Sequence, residues 1–225
     1  MTLDIRHDAI RRAGRTVLEA GSITVGAPAA LAIVGINGSG KSSLFMQLTD
    51  TLSSRGSAVV TLDGRSATLA YVPQSPGLPD WLRTERIADM YGLAFDALVD
   101  AMPGLHLAEI AGQRASTLSL GQRQVLAIAI ALGRDADVTF LDEPFSALDF
   151  RRRLGTMELL RERRDAGRGV VLSSQAASDL IELCDRFVVL RDGRYIFNGR
   201  RQDLAADADV REVELRLLHL LTMPA

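Results

Sequence analysis

The chain is poor in the residues that mark several classes of protein. Its 225 residues include one cysteine, Cys184, which excludes an internal disulfide framework and suits a reducing compartment. No run approaches the roughly 20 apolar residues that span a bilayer, and the N-terminus has no signal-peptide pattern. The formal net charge of −2 argues against a strongly basic nucleic-acid binder. The composition predicts a soluble, cytoplasmic protein that could still dock on a membrane partner, and the length fits one large domain or a domain with a lobe.

Lysine is also scarce, and its single position is informative. Lys41 is the only lysine, and it lies in Gly35-Ile36-Asn37-Gly38-Ser39-Gly40-Lys41-Ser42. This segment fits the phosphate-binding loop pattern of glycine, four residues, and Gly-Lys-Ser. A phosphate loop needs a compact charge on a flexible stem, and a planar guanidinium is bulkier. A chain that otherwise uses arginine therefore has a physical reason to keep a lysine here.

The surroundings of this loop predict a strand before it and a helix after it. Leu31-Val34 is an apolar strand that runs directly into the loop, and 41–52 has apolar residues at helical spacing. A strand-loop-helix unit places backbone N–H groups and a helix N-terminus around a bound phosphate. The local sequence therefore supports nucleotide binding.

Strands and helices alternate along the rest of the chain. This alternation predicts a mostly parallel sheet that is covered by helices. Asp63-Gly64 predicts a turn between two short strands, and Asp192-Gly193 predicts a hairpin. The remaining predicted strands are 23–25, 59–62, 69–72, 138–141, 170–172, 187–190 and 195–197, and the predicted helices are 84–113 with a break at Pro103-Gly104, 121–132, 151–166, 176–184 and 207–221.

Two further segments carry chemistry. The apolar strand Val138-Leu141 ends in Asp142 and Glu143, whose side chains point in different directions on an extended end. One carboxylate can hold Mg²⁺ while the other orients a water; the alternative is a solvated acidic turn. Segment 118–122 precedes a helix, so its Ser119 hydroxyl and the following N–H groups can form an anion site. The alternative there is an N-cap without a ligand.

Together with two more segments, these motifs resemble the nucleotide-binding domain of ABC transporters. The Walker A match is 35–42, the signature match is Leu118-Ser119-Leu120-Gly121-Gln122, and the Walker B match is 140–142 followed by Glu143. Gln74 fits the Q-loop, and Ser146-Ala147-Leu148-Asp149 fits the D-loop. The five motifs occur in the order of the family and cover nearly the whole chain.

The resemblance implies an α/β fold with a P-loop core, a small antiparallel β lobe near the N-terminus and a helical signature lobe over about 75–132, all in one domain of residues 1–225. It implies an ATPase subunit on the cytoplasmic face of the membrane that drives a separate permease and pairs head to tail with a second ABC ATPase. Glu143 would be the general base, with Lys41 and position 175 as further catalytic groups. The implied nucleotide-binding residues of the phosphate loop are Gly35, Ile36, Asn37, Gly38, Ser39, Gly40, Lys41, Ser42 and Ser43. Ser119, Gly121 and Gln122 would bind the ATP of the partner subunit. Ser42, Gln74 and Asp142 would bind Mg²⁺.

The chain departs from the family at two positions. Gln175 stands where the family has its switch histidine, and glutamine cannot become cationic. This substitution predicts slower hydrolysis with binding retained. Arg12, beside Arg11, stands where the family stacks adenine on an aromatic residue, so base selectivity depends on whether an arginine plane substitutes; otherwise both arginines are solvated.

Several alternatives stay open. The second functional hypothesis is a weakly active regulatory module that binds ATP and dimerises with a competent ATPase. Trp81 is either a docking anchor for the membrane subunit or a core residue. The arginines between 151 and 168 are expected to form a solvated helix face with i,i+4 pairs, Cys184 a buried thiol, and the last helix a core or dimer contact.

Overall fold

The computed structural model describes residues 2–26, 30–49, 57–175, 178–205 and 209–222. In chain order the strands are β1 (Thr2–His7), β2 (Ile10–Arg12), β3 (Arg15–Leu18), β4 (Gly21–Gly26), β5 (Ala30–Gly35), β6 (Ala58–Leu62), β7 (Arg65–Ser66), β8 (Leu69–Val72), β9 (Val138–Asp142), β10 (Gly169–Ser174), β11 (Arg186–Arg191) and β12 (Arg194–Arg200). The helices are α1 (Lys41–Leu48), α2 (Thr84–Met90), α3 (Phe95–Ala101), α4 (Leu120–Gly133), α5 (Phe150–Asp165), α6 (Ser178–Ile181), α7 (Arg201–Leu204) and α8 (Val210–Thr222).

The central sheet has six strands in the order β12-β11-β5-β10-β9-β8. The neighbours from β11 to β8 pair in parallel, and β12 pairs antiparallel to β11 at one edge. Strands β5, β9 and β10 are buried at every position, which is typical of a parallel sheet covered on both faces. The predicted mostly parallel α/β fold is therefore confirmed.

The sheet separates two apolar layers. Alternate residues of β5 point to opposite faces: Ala32 and Val34 join the layer with α4 and α5, whereas Leu31 and Ile33 join the layer with α1 and the N-terminal strands. On the second face, the Phe45 ring of α1 lies edge-on to the rings of Phe140 (5.3 Å) and Tyr71 (6.3 Å). These contacts fix α1, and therefore the loop before it, against the sheet.

The predicted antiparallel lobe is a separate four-stranded sheet. Its order is β4-β1-β6-β7, with Leu3 opposite both Val25 and Leu62. Strands β2 and β3 form an additional hairpin. The predicted turn at Asp63-Gly64 is observed; it joins β6 to the short strand β7, which is not predicted, and β8 belongs to the central sheet.

The helical part of the chain lies between β8 and β9. It contains α2, α3 and α4, with short 3₁₀ helices at Pro103–Leu105, Leu107–Ile110 and Ala115–Thr117. The predicted helix over 84–113 is therefore several short helices, and the predicted break at Pro103-Gly104 lies where α3 gives way to a 3₁₀ helix. The 3₁₀ helix at Pro103–Leu105 packs against α5 through Gly104 and Gly155, whose backbones are in contact. A side chain at either position would prevent this approach.

Helix ends show the remaining differences from the sequence prediction. Helix α1 ends at Leu48 rather than Leu52, and residues 50–52 lie outside the described residues. Helix α6 covers only part of the predicted helix over 176–184, and residues 176 and 177 lie outside the described residues. Helix α7 is not predicted from the sequence. Among the residues that the structure describes, no helix is both long and apolar enough to cross a membrane.

Candidate active site

The phosphate-binding loop joins the buried end of β5 to the start of α1. Gly38 (φ 82°) and Gly40 (φ 107°) have left-handed backbones, which glycine adopts without steric cost. Helix α1 begins at Lys41 after Gly40, and its first turn contains no acidic residue. The N–H groups of this turn therefore form a positive helix end that suits an anion such as phosphate.

One cavity of about 140 Å³ lies at this helix end, and it gathers residues from four separate parts of the sequence. The phosphate loop comes from the end of β5, Gln74 follows β8, and the two carboxylates are at the end of β9. Parallel strands bring these loops to the same edge of the sheet. The lining residues are Val17, Asn37, Gly38, Ser39, Gly40, Lys41, Ser42, Ser43, Gln74, Asp142 and Glu143.

Lys41 is buried beside this cavity. Its ammonium donates hydrogen bonds to the carbonyl oxygens of Gly35 (2.7 Å) and Ile36 (3.3 Å), and it lies 3.6 Å from Oε1 of Glu143. Burial lowers the pKa of Lys41, while the charges of Glu143 and Asp142 oppose that shift. Lys41 is thus a positive charge positioned between the loop carbonyls and the carboxylates.

Asp142 and Glu143 are both buried at the end of β9, and Ser173 of β10 connects them. The Ser173 hydroxyl donates to Oδ1 of Asp142 and accepts the backbone N–H of Glu143 at 3.0 Å. Burial and the neighbouring Asp142 charge raise the pKa of Tyr71 on β8. Glu143 has φ 49°, a backbone conformation that is uncommon for residues other than glycine.

The donor set around the cavity fits Mg²⁺ bound together with a nucleotide. A hydroxyl (Ser42), an amide (Gln74) and a carboxylate (Asp142) line the same space, and Mg²⁺ prefers oxygen ligands and uses one or two carboxylates plus phosphates. Within the described ranges, no group of three or more His, Cys, Asp or Glu residues could hold a metal ion. These residues therefore suit a metal that arrives with phosphate oxygens.

The signature residues lie elsewhere. Ser119 caps α4: its hydroxyl accepts the N–H of Gln122 at 3.2 Å, and the Gln122 side chain accepts the N–H of Ser119 at 2.9 Å. Ser119 is therefore the N-cap of α4, and this capping leaves its hydroxyl hydrogen available to a ligand, so the anion site stays a prediction. A Cβ on Gly121 would lie 2.4 Å from the carbonyl oxygen of Ala147, so the D-loop approaches α4 closely at this glycine. None of the three signature residues lines the phosphate cavity of its own chain.

Gln175 is likewise not among the residues that line the phosphate cavity. Its exposed side chain follows β10 and lines a second cavity of about 370 Å³ that is formed mainly by α8, including Arg211, Glu214 and Leu218. The structure therefore places the predicted switch position beside the terminal helix.

The D-loop connects the carboxylates to the helical part of the chain. The Ser146 hydroxyl donates to the carbonyl oxygen of Glu143 at 2.9 Å, and Asp149 caps α5 by accepting the N–H of Arg152. The hydrogen bonds from the backbone and side chain of Arg152 lower the pKa of Asp149. Arg152 also pairs with Glu109 of the helical part.

Two arginine predictions have different outcomes. Arg12 is exposed on β2, with its guanidinium 3.7 Å from Sδ of Met46, and an adenine contact there stays a prediction. The basic residues of α5 do not simply form a solvated face with i,i+4 pairs. Arg161 pairs with Glu182, and Arg163 donates to the carbonyl oxygen of Ala136, so these arginines connect α5 to other elements.

Trp81 is exposed rather than part of the core, with 73% of its surface accessible. Met90 and Tyr91 are exposed as well, and Tyr91 lines a cavity of about 190 Å³ with Pro76 and Leu78, just after the Q-loop. We refer to the three exposed residues Trp81, Met90 and Tyr91 as the aromatic rim.

The burial of Cys184 and of helix α8 tests the expectations for the single cysteine and for the last helix. Cys184 is a buried free thiol whose pKa is raised by burial, as expected for an inert cysteine. On α8, Val213, Leu217 and Leu221 are buried in the core, whereas Leu215 and Leu218 are exposed. The core alternative for this helix is therefore observed for one face.

Known proteins share this arrangement. A sequence profile described as ABC transporter matches residues 18–146. A hemin import ATP-binding protein of Streptomyces coelicolor is 32% identical, covering 89% of this chain and 78% of that protein. A human phospholipid-transporting ATPase is 35% identical, over 76% of this chain and 9% of its own length.

A solved structure titled as the ATP binding subunit of an ABC transporter has the same fold. Its TM-score is 0.80 at 24% sequence identity, and the match covers 97% of this chain and 100% of that one. By the profile match and the similarity to the hemin import protein, the chain belongs to the ABC transporter family, in which it is an ATP-binding and ATP-hydrolysing subunit that energises transport.

Proposed function

We propose that this subunit hydrolyses Mg-ATP in the cavity between the phosphate loop and Glu143, and that it drives a separate membrane permease from the cytoplasmic face. The observation that carries the site assignment is the single cavity that gathers the loop, Gln74, Asp142 and Glu143 from distant parts of the sequence. Hydrolysis of a phosphoanhydride depends mainly on positioning and charge neutralisation, which these residues supply.

The phosphate loop and Lys41 would hold the phosphates. The loop N–H groups and the start of α1 provide donors and a positive helix end, and Lys41 adds a full charge. Ser42, Gln74 and Asp142 would hold the metal. When bound, Mg²⁺ would neutralise charge that develops on the phosphate oxygens.

Glu143 would be the general base. Its carboxylate is buried, its Oε1 has no hydrogen-bond partner among the described residues, and it lines the phosphate cavity. A buried carboxylate that faces the reacting phosphate can accept a proton from an attacking water. Lys41 lies 3.6 Å away and offsets the cost of burying this charge.

A second subunit would complete each site. Ser119, Gly121 and Gln122 do not line the cavity of their own chain, although Ser119 presents a hydroxyl at a helix N-terminus. A head-to-tail pair of chains would bring this helix end to the ATP of the partner, which supports a homodimer or a heterodimer with another ABC ATPase. Phe150 is exposed beside the D-loop and suits such a contact.

The aromatic rim would contact the permease. Exposed aromatic and methionine side chains are enriched at protein interfaces, and one of the three, Tyr91, lines a groove that follows the Q-loop. A permease segment bound here would act close to Gln74, so its movement could influence the metal site. No nucleic-acid partner is proposed, because the net charge is near zero.

The regulatory-module hypothesis rests on Gln175. A neutral glutamine that lies beside α8 is a poor substitute for a histidine at the γ-phosphate. In this alternative the chain binds ATP and dimerises but turns over slowly, and a partner ATPase performs the hydrolysis.

Phosphate release from purified protein with Mg-ATP, measured beside Glu143→Gln, tests the proposal. We expect turnover in the wild type and its loss in Glu143→Gln, with ATP binding retained in both. Turnover that survives in Glu143→Gln would contradict the base assignment. No turnover in either protein, with binding intact, would favour the regulatory module.

A further inference from the structure

Ser173 is a buried hydroxyl in an apolar strand. It lies on β10, where Val170, Val171 and Leu172 before it are completely buried, and Ser173 itself is fully buried. In the sheet register it is opposite Asp142 on β9. A hydroxyl in such a place is unfavourable unless it forms hydrogen bonds.

The hydrogen bonds of Ser173 reach both acidic residues. Its O–H donates to the Asp142 carboxylate, and its oxygen accepts the backbone N–H of Glu143. The first bond restrains the carboxylate at the metal site. The second restrains the backbone of Glu143 at a left-handed φ that most residues avoid, and it satisfies a buried N–H group.

We propose that Ser173 is a positioning residue for ATP hydrolysis, which orients Asp142 towards the metal and Glu143 towards the attacking water through one hydroxyl. This inference rests on the roles proposed above for the two carboxylates. Residues that form hydrogen bonds to metal ligands orient those ligands, and their removal typically lowers metal affinity or activity about 10–100-fold.

Thr139 offers a matched control. It is a fully buried residue of the neighbouring strand β9, and its hydroxyl has no hydrogen-bond partner within the described part of the chain. Thr139→Val therefore removes a buried hydroxyl from the same sheet without removing a bond to either carboxylate. Ser173→Ala removes a hydroxyl that bonds to both.

The first readout is ATP affinity measured by calorimetry with Mg²⁺ and with a chelator, which requires no turnover. We expect Ser173→Ala to reduce the gain in affinity from Mg²⁺ about 10–100-fold, by analogy with other partners of metal ligands. Affinity in the chelator should stay close to that of the wild type, because Ser173 does not line the phosphate cavity. Thr139→Val should keep the full Mg²⁺ gain, and Ser173→Thr, which keeps a hydroxyl, should restore most of it.

The second readout is hydrolysis at saturating Mg-ATP, together with the melting temperature of each variant. We expect kcat to fall in Ser173→Ala and KM for Mg-ATP to rise, because the variant loses part of the affinity that Mg²⁺ provides. A folded Ser173→Ala protein with the Mg²⁺ gain and kcat of Thr139→Val would overturn the proposal. So would an equal loss of affinity with and without Mg²⁺, because that result indicates a general structural defect.

Asp142→Asn and Glu143→Gln separate this inference from the proposed function. If Asp142→Asn keeps the Mg²⁺ gain and Glu143→Gln keeps turnover, the roles of the carboxylates are wrong. If both substitutions are damaging while Ser173→Ala behaves as the wild type, only the role of Ser173 is wrong.

Discussion

Replacement of Gly155 by alanine should destabilise the protein, although alanine is the better helix former. Gly155 lies inside α5, where the change from glycine to alanine favours the helix by about 1 kcal/mol. The added Cβ would lie 2.2 Å from the carbonyl oxygen of Gly104 and 2.7 Å from its Cα. Because these are backbone atoms, no side-chain rotation can relieve the overlap.

The expected size follows from these opposing effects. Overpacking costs about 1–3 kcal/mol, and a collision with backbone should lie at the upper end of that range. Subtracting the gain in helix propensity leaves a net loss of about 2 kcal/mol in the free energy of unfolding. Urea denaturation followed by circular dichroism would measure it.

A matched control is Gly26→Ala on β4. Among the described residues, a Cβ at Gly26 would meet nothing within 4 Å, so this variant should be neutral or slightly stabilising. If Gly155→Ala were as stable as the wild type, the contact between α5 and the 3₁₀ helix at Pro103–Leu105 would not be as close as described, and the reasoning would fail.

Three further predictions concern charge and the switch position. Lys41→Ala should weaken ATP binding roughly 10–100-fold by calorimetry, since a hydrogen bond to a charged group is worth about 1.5–3 kcal/mol; full affinity would refute the phosphate-loop assignment. Gln175→His should raise phosphate release at saturating Mg-ATP, and an unchanged or lower rate would count against the switch alignment. Hydrogen bonds from Arg65 and then Thr68 hold the pKa of Asp137 well below its usual range. The pKa of Asp137 is lower in the folded than in the unfolded protein. The stability that these hydrogen bonds contribute is therefore present above the unfolded pKa and is lost as the pH falls through the folded pKa. Asp137→Asn should cost about 1–3 kcal/mol at pH 7 in urea denaturation, and this cost should decrease progressively as the pH is lowered below about 4; a cost that stays constant over that range would contradict the shift.

The parts of the site that are local in sequence could be predicted from it. The phosphate loop and the Asp142-Glu143 pair each follow a short apolar strand, so pattern and chemistry lie within a few residues. Ser173 is not predicted, because its partners lie 30 and 31 residues away and meet it only through the register of β9 and β10. The alternation of strands and helices predicts the parallel sheet but contains no information on such register.

The differences in the fold have similar causes. The contact of Gly104 with Gly155 joins segments that are distant in sequence, and neither glycine has a local turn signal for it. Strand β1 is absent from the sequence prediction although its buried Leu3 and Ile5 alternate with less buried residues. That period-two signal spans only six residues and is short for recognition by pattern alone. Trp81 could not be distinguished from a core residue by sequence, because an apolar residue near a loop fits both positions.

The geometry of Glu143 bears on whether the chain hydrolyses ATP efficiently or only binds it. Binding needs the phosphate loop, Lys41 and a metal ligand, and none of these requires a second carboxylate. Glu143 nevertheless has a buried carboxylate and a left-handed backbone, both of which cost stability. It is held there by hydrogen bonds from its neighbours: its N–H donates to Ser173, and its carbonyl oxygen accepts from Ser146. A module that only bound ATP would gain nothing from this arrangement, whereas a hydrolase needs a fixed base beside the phosphate. The geometry of Glu143 therefore favours the proposal of a hydrolase over that of a binding module, and we expect Gln175 to affect the rate of hydrolysis rather than its occurrence.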